Sequence, residues 1–467
     1  MNVRILMAMV IFTGIFLGAC AEDAKLKKVG NPGGQPDLSF GVDGMATVTA
    51  IPGNEKTFDA FRLDGQGRYV LAGSLNPGVA AWDGFVMRLL DTAELDISFN
   101  GTGYHQRNND GGSNGNDRMF GLALEPGGNI LVTGHSFGPS IHRGVIWRFT
   151  DAGALDPAWN GSGVRLWSSN VNNQADFISP MGVFVQPDGN VLVGGRAPIS
   201  GGSGHEAYVM RFTAGGTPDT GFTGTAVIDG SNVWALTPNA GTDLIVRFAV
   251  DAGGRIYAVG QSGNPANLLL VRFNADGTVD STFDSAGPTP GMILSPMAGT
   301  AATGNDIKLD SAGNVLVSGC ITITPSTTCD AVVWRFLPDG TLDPAFGGGL
   351  GYIPVDASGV GNNDYGREFE LDALGRIVLA VYVESPDQAG TGVQVDVGVV
   401  RIRANGTLDT GFGDMGVVLL DSTPAGGPDT NDVAQLLELD ALGRIVLAGS
   451  VRPAGGLQSP ALWRLLP

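Results

Sequence analysis

The sequence predicts an all-β fold: a seven-bladed β-propeller of four-stranded antiparallel blades, its last blade closed by the N-terminal strand. Composition is the first observation, with 73 glycines among 467 residues and only 16% of residues charged. Aliphatic residues fall in short runs between turn residues, as many short strands joined by tight turns require. The second observation is an Asp-x-x-[Phe/Trp] motif that recurs seven times. Its aspartates, Asp37, Asp96, Asp156, Asp219, Asp280, Asp343 and Asp409, are spaced 59, 60, 63, 61, 63 and 66 residues apart. The third is a hairpin inside each unit, marked by Gly67, Gly128, Gly189, Gly254, Gly313, Gly375 and Gly443, where a tight turn needs positive φ.

Each unit reads as four strands, A to D; in the second unit they fall at about 117–124, 129–135, 144–149 and 163–167. An arginine stands eight residues before six of the motif aspartates, at Arg88, Arg148, Arg211, Arg272, Arg335 and Arg401. Arg464 has no aspartate after it, and Asp37 has no arginine before it. These orphan halves complete one another if the array is a ring, whereas an open solenoid gives no reason for complementary ends. Residues 44–49 supply a lone D strand and 432–466 supply A, B and C, so both chain ends build the last blade. Without that overlap, two neighbouring blades would be joined by side-chain packing alone.

The N-terminus reads as an export signal. Arg4 precedes an apolar run, Ile5 to Leu17, too short to span a bilayer comfortably. Leu17-Gly18-Ala19-Cys20 then resembles the lipobox of bacterial lipoproteins, which implies lipidation of Cys20 and removal of residues 1–19. Ala21, in place of an aspartate, implies by the same resemblance the outer membrane. Residues 20–33 form a polar tether, and 34–467 the propeller. Cys320 and Cys329 are expected to pair in the oxidising envelope. With 27 basic against 46 acidic residues, a net charge of −19 repels phosphate backbones and argues against a nucleic-acid partner.

The residues Leu342-Asp343-Pro344-Ala345-Phe346-Gly347 and Pro187-Asp188-Gly189-Asn190-Val191-Leu192-Val193 resemble the delta-sixty repeat family of bacterial secreted and surface proteins. The likeness spans 34–467, with local departures at Ala93 and Val381, where glycine is usual. It implies a fold and a location, and no activity.

Chemistry needs one site, so a sevenfold Arg, Asp and aromatic set reads as a staple in every blade, a charge-assisted pair with a ring packed over it. The A–B and C–D turns share one face of the propeller, the turn face. The B–C and D–A loops share the other, the loop face, and hold nearly all length variation, for example 196–206, 229–242, 320–330, 382–395 and 421–431. Localised function is expected on that loop face. Trp82, Trp167 and Trp234 lie in or beside its loops as candidate ligand platforms, and His135, His142 and His205 as candidate binding residues that could ligate a metal or serve as acid and base. Asp117, Asp243, Asp364 and Asp432 each stand eleven before a hairpin glycine. A ring of such carboxylates at the channel mouth would suit a hard cation such as Ca²⁺; the alternative is an Asx turn that starts the strand. The expectation is a monomeric, envelope-anchored, non-enzymatic propeller that binds a protein or glycan. The alternative is a periplasmic hydrolase or lyase acting at the same face.

Overall fold

The computed structural model describes residues 33–49, 51–53, 55–78, 81–112, 115–138, 142–168, 178–198, 205–229, 231–236, 241–294, 300–323, 326–358, 361–386, 393–420, 430–453 and 457–467. The export signal, Cys20 and the tether up to residue 32 lie outside them. No helix among the described residues is long and apolar enough to cross a membrane.

Seven antiparallel sheets follow one another around an axis. Blade 2 is representative: A is Asp117–Leu124, B Ile130–Phe137, C His142–Phe149 and D Val164–Trp167. Strands B and C are buried along nearly their whole length, because each blade is covered on both faces by its neighbours. The core is accordingly a circle of interfaces. One apolar cluster joins each pair of adjacent blades, from Val86, Phe99 and Trp147 between blades 1 and 2 to Phe61, Leu71 and Leu462 between blades 1 and 7.

Closure follows the sequence expectation. Met45–Thr47 pairs with Ser459–Leu465, with Met45 opposite Trp463 and Thr47 opposite Ala461. Arg464 Nε donates to Asp37 Oδ2 at 2.7 Å, and Phe40, 4.4 Å from the guanidinium, is buried beneath it. The same pair forms in every blade, as in Arg88–Asp96 at 2.7 Å, Arg211–Asp219 at 2.7 Å, Arg272–Asp280 at 2.8 Å, Arg335–Asp343 at 2.6 Å and Arg401–Asp409 at 2.8 Å, with Arg148–Asp156 completing the set. The staple also reaches across the seam. Arg88, Arg211, Arg272, Arg335 and Arg464 each donate a second N–H to a main-chain carbonyl of the next blade: Asp151, Ala275, Pro338, Ala404 and Asp91 respectively. A motif that looked local therefore also holds blades together.

Blade 3 departs from the four-strand pattern. Ser231–Leu236 takes the D position beside Glu206–Phe212, and Ala226–Ile228 folds back outside it as a fifth strand. Asp229, with φ of 48°, occupies the left-handed position a two-residue hairpin turn needs. Cys320 and Cys329 are disulfide-bonded across the B–C loop of blade 5, with Cα atoms 5.7 Å apart.

Candidate functional site

The axis is lined by the seven A strands: Glu55–Leu63, Asp117–Leu124, Ser179–Val185, Leu244–Val250, Ala301–Leu309, Asp364–Leu371 and Thr430–Leu439. Each breaks register with its B strand at one point in mid-strand. A bulge of this kind leaves a residue unpaired and re-aims its side chain. The residues set out of register are Asp59, Phe120, Met181, Val246, Asn305, Arg367 with Glu368, and Gln435. All eight line a single cavity on the axis, of about 230 Å³, together with Phe58, Arg247 and Leu436.

The cavity wall is asymmetric. Blades 2 and 3 contribute Phe120 and Met181, whereas blades 4 to 7 and blade 1 contribute most of the polar groups. Arg367 stands out. Its guanidinium lies against Tyr365 and Tyr382, 5.4 and 5.6 Å from the ring centroids, and among the described residues it has no hydrogen bond and no carboxylate partner. Burial lowers its pKa, although the neighbouring tyrosines oppose that shift. Asp59 accepts from Thr57 Oγ1 at 3.0 Å, and burial pushes its carboxyl up to about 6. Asn305 is oriented by donating Nδ2 to the Gly366 carbonyl at 2.7 Å.

Toward the turn face the cavity rests on an ion-pair network. Glu368 accepts from Arg247 at 2.5 Å and from the Leu437 N–H at 3.3 Å, and pairs with Arg62 at 3.4 Å. Burial raises its pKa, but the charges of Arg62 and Arg247 outweigh that effect, so Glu368 stays ionised. Lys308 joins Glu370 at 2.7 Å, and Arg62 also meets Glu438 at 3.3 Å. Burial pushes the Glu438 carboxyl up to about 8. A further cavity of about 460 Å³ lies between blades 1 and 2 on the turn face. Its charged groups Arg68, Arg88 and Asp151 are already joined to one another, which marks it as a seam.

The structure redistributes the residues singled out in the sequence. Trp167 and Trp234 are not loop platforms: both lie in D strands, 2% and 4% exposed, packed on Phe212 and Phe273. Their side chains alternate inward and fill the seams to blades 3 and 4. Trp82 remains half-buried beside strand C of blade 1, with Arg118 stacked 4.9 Å from its ring. His135 is buried between Phe120 and Phe137, and burial drives its pKa down to about 3, so it is neutral at physiological pH. His142 packs on Phe137, and His205 bridges to Thr242 at the start of blade 4. Asp117, Asp243, Asp364 and Asp432 are fully buried and do not ring a channel mouth. Asp117 grips the Asn109 N–H at 2.7 Å, Asp243 the Gly263 N–H at 2.9 Å, and Asp364 the Ala357 N–H at 2.7 Å. Their own N–H groups donate to the carbonyls of Trp82, His205 and Cys329 in the preceding blade. None of these carboxylate bonds is the local bond of an Asx turn, which runs to the N–H two residues on; the carboxylates instead grip distant segments and so pin the loop face as the arginines pin the turn face. Among the described residues no group of three His, Cys, Asp or Glu gathers in a way that could hold a metal ion.

Burial of these carboxyls has a consequence for stability. Desolvation pushes Asp117 up to about 6, with Asp110 and Asp83 adding to the shift, and Asp364 up to about 7, with Asp356 and Asp330 adding. A carboxyl whose folded pKa is raised binds its proton more tightly when folded. Stability therefore falls as pH rises from its unfolded pKa, near 4, to its folded one. The thermal midpoint is expected to drop between about pH 4 and pH 7, and an Asp117→Asn, Asp364→Asn chain to show a flatter profile over that span. A midpoint that climbs through this range, or a variant with unchanged slope, contradicts the assignment.

Comparison with known proteins agrees on the fold. A β-propeller family described as a domain of unknown function (DUF5122) matches residues 186–222, 254–283, 313–346 and 386–412, supporting a β-propeller repeat family. No curated protein matches significantly. Similar solved structures include a protein of unknown function from Dyadobacter fermentans, at 12% identity and a TM-score of 0.42, covering 91% of this chain and 100% of that one. The polysaccharide lyase Uly1 is similar at 10% identity and a TM-score of 0.46, covering 90% and 91%. PorZ, a type-IX secretion component of Porphyromonas gingivalis, is similar at 14% identity and 0.36, covering 90% and 61%. At these scores the likenesses carry no argument about activity.

Proposed function

We propose that this chain is an exported, lipid-anchored propeller that binds a small acidic glycan unit in its axial cavity without transforming it. One observation carries the reading: seven structurally equivalent bulges converge on one cavity, and each blade presents a different side chain there. What repeats in identity, the Arg–Asp staple, serves every blade alike; what repeats in position and differs in identity serves one asymmetric ligand. Arg367 has a guanidinium to offer an anion, preferentially a carboxylate. Asn305, Gln435 and Asp59 supply donors and acceptors for hydroxyls, and Phe58 and Phe120 an apolar wall, the mix expected of a specific small-molecule pocket.

A second reading has its own observation. Asp59, titrating at about 6 within the cavity, suits a general acid or base, and would serve a hydrolase or lyase. Binding is favoured because the other carboxylate on the wall, Glu368, is already held by two arginines.

Calorimetry on the non-lipidated Cys20→Ser chain with uronic-acid oligosaccharides and their neutral counterparts tests this. Arg367→Ala is expected to weaken binding of the acidic oligosaccharide at least tenfold with little change in thermal midpoint, and Asp59→Asn to leave it within a few-fold. Equal affinity for neutral and acidic sugars, or binding untouched by Arg367→Ala, overturns the assignment. Conversion of the bound sugar that disappears in Asp59→Asn establishes the enzyme instead.

A further inference from the structure

The turn face is not uniform. Large apolar side chains stand out on it around blades 6, 7 and 1: Leu374 at 72% exposure, Met415 at 64%, Leu442 at 71%, Leu38 at 74%, Val42 at 73% and Ile97 at 72%. Leu374 and Leu442 occupy the tips of A–B turns whose equivalents in blades 1 to 5 are Gln66, Gly127, Asp188, Gly253 and Ala312. Within each of blades 6 and 7 the A–B turn is tied to the C–D corner that carries the other exposed apolar groups. The Leu442 turn is tied through Arg444 to Asp37 at 3.4 Å, the neighbour of Leu38, and the Leu374 turn through Arg376 to Asp409 at 3.3 Å, in the corner that leads to Met415. Arginines also neutralise the turn carboxylates here, Arg376 on Asp372 and Arg444 on Asp440. Elsewhere on the same face the exposed Asp188, Asp276 and Asp339 are held by Asn190, Thr278 and Thr341 instead. Exposed apolar side chains thus concentrate around blades 6, 7 and 1, with Leu350 of blade 5 at 55% beside them, while arginine-paired turn carboxylates also occur outside that sector, as in Arg255 on Asp251 of blade 4.

The chain enters the fold within this apolar sector. Gly33 bridges Phe412, its carbonyl accepting from the Gly413 N–H at 3.1 Å, and Gly34 N–H donates to Leu466. Twelve residues separate Cys20 from Gly33, a span of at most ~40 Å when fully extended. Three of the chain's five lysines, Lys25, Lys27 and Lys28, lie in that stretch, and basic residues beside a lipid anchor are drawn to anionic headgroups.

We infer that the turn face of blades 6, 7 and 1 is a membrane-docking surface, with Leu38, Val42, Leu374, Leu442 and Met415 entering the headgroup–acyl boundary of the bilayer that holds Cys20. The inference rests on the lipid-anchor reading. Docking directs the loop face, with Trp82, toward whatever approaches from solution. A surface of exposed apolar side chains gains by insertion, and an anchor that already holds the chain at the bilayer brings that surface within reach, so anchor and patch act together.

The test uses the lipidated chain in vesicles of phosphatidylethanolamine and phosphatidylglycerol. An environment-sensitive fluorophore is placed on Leu442→Cys or on Leu457→Cys, an exposed apolar position on the opposite face of the same blade. Doxyl-labelled lipid is expected to quench the label at 442 by at least half and to leave that at 457 nearly unchanged. Equal quenching, or quenching at 457 alone, overturns the docking. Vesicle association that survives Cys20→Ser with no quenching at 442 removes the anchor reading and the docking with it, whereas association lost in Cys20→Ser with 442 unquenched keeps the anchor and rejects the face. If the soluble Cys20→Ser form dimerises and Leu374→Glu with Leu442→Glu abolishes this, the patch is a self-association surface and the inference fails.

Discussion

Replacing Arg464 with alanine is expected to destabilise the whole ring. The guanidinium is buried, bonded to Asp37 at 2.7 Å, to the Tyr69 hydroxyl at 3.2 Å and to the Asp91 carbonyl at 2.8 Å, so it joins the N-terminal segment, blade 7 and blade 1. Truncation leaves Asp37 beside an unfilled space with only Ser39 and Arg444, 3.4 Å away, to hold its charge, so the lower end of the ~3–5 kcal/mol cost of breaking a buried pair applies. For a domain of this size that is a fall of ~3–4 °C in thermal midpoint. Removing residues 33–47 should cost far more, because it also strips the edge of Ser459–Leu465 and takes Phe40 from the core. The measurement is a thermal or urea transition followed by two probes, tryptophan fluorescence and far-ultraviolet circular dichroism. Both variants should melt in one shifted transition. A midpoint equal to the parent, or a separate early transition confined to one blade, would show that the ring does not depend on its closure.

Glu368→Ala is the second large effect, and it separates scaffold from site. Glu368 is 6% exposed and faces Arg62, Arg247 and the Leu437 N–H, so its loss leaves two cations without their shared partner. Because Arg62 is 30% exposed and Arg247 19%, water compensates in part, and the lower end of the usual range applies, ~2–3 kcal/mol. Glu368→Gln should recover some of this by keeping an acceptor for Leu437. The pH dependence of the pair has the opposite sign to that of Asp117 and Asp364. A carboxyl with a lowered folded pKa contributes stability above its unfolded pKa, near 4.5, and loses it as pH falls. The difference between parent and Glu368→Ala should therefore shrink on acidification below about pH 4.5. A difference constant down to pH 3 would mean that packing, not charge, accounts for the loss.

Much of the molecule was legible in the sequence. Seven Arg and seven Asp at a fixed interval gave the blade count, the orphan Asp37 and Arg464 gave closure, and the hairpin glycines gave the A–B turns. Each is a local requirement, met again in every unit, so repetition made it visible. The axial site carried a signal as well: Asp59, Phe120, Met181, Val246, Asn305, Arg367 and Gln435 all stand eight residues before their hairpin glycine. That column varies where the residue before it stays apolar or glycine, yet variation alone does not say which way a side chain points.

By itself, then, the sequence determined the architecture, the staples, the Cys320–Cys329 pair and the position of each turn, because these follow from backbone geometry and from contacts between residues at fixed spacing. Only the tertiary structure decided which residues meet on the axis. A bulge shifts the two-residue alternation of a strand by one, so that residues an ideal strand would bury in a seam instead face a shared cavity. The same alternation in the D strands turned Trp167 and Trp234 into core, and the closeness of adjacent blades buried Asp117, Asp243, Asp364 and Asp432, the first three against main-chain N–H groups. Sidedness depended on ring closure: it brings the corner of Leu38 and Val42, from the first residues of the fold, into the same blade as the Leu442 turn near its end, where Arg444 meets Asp37.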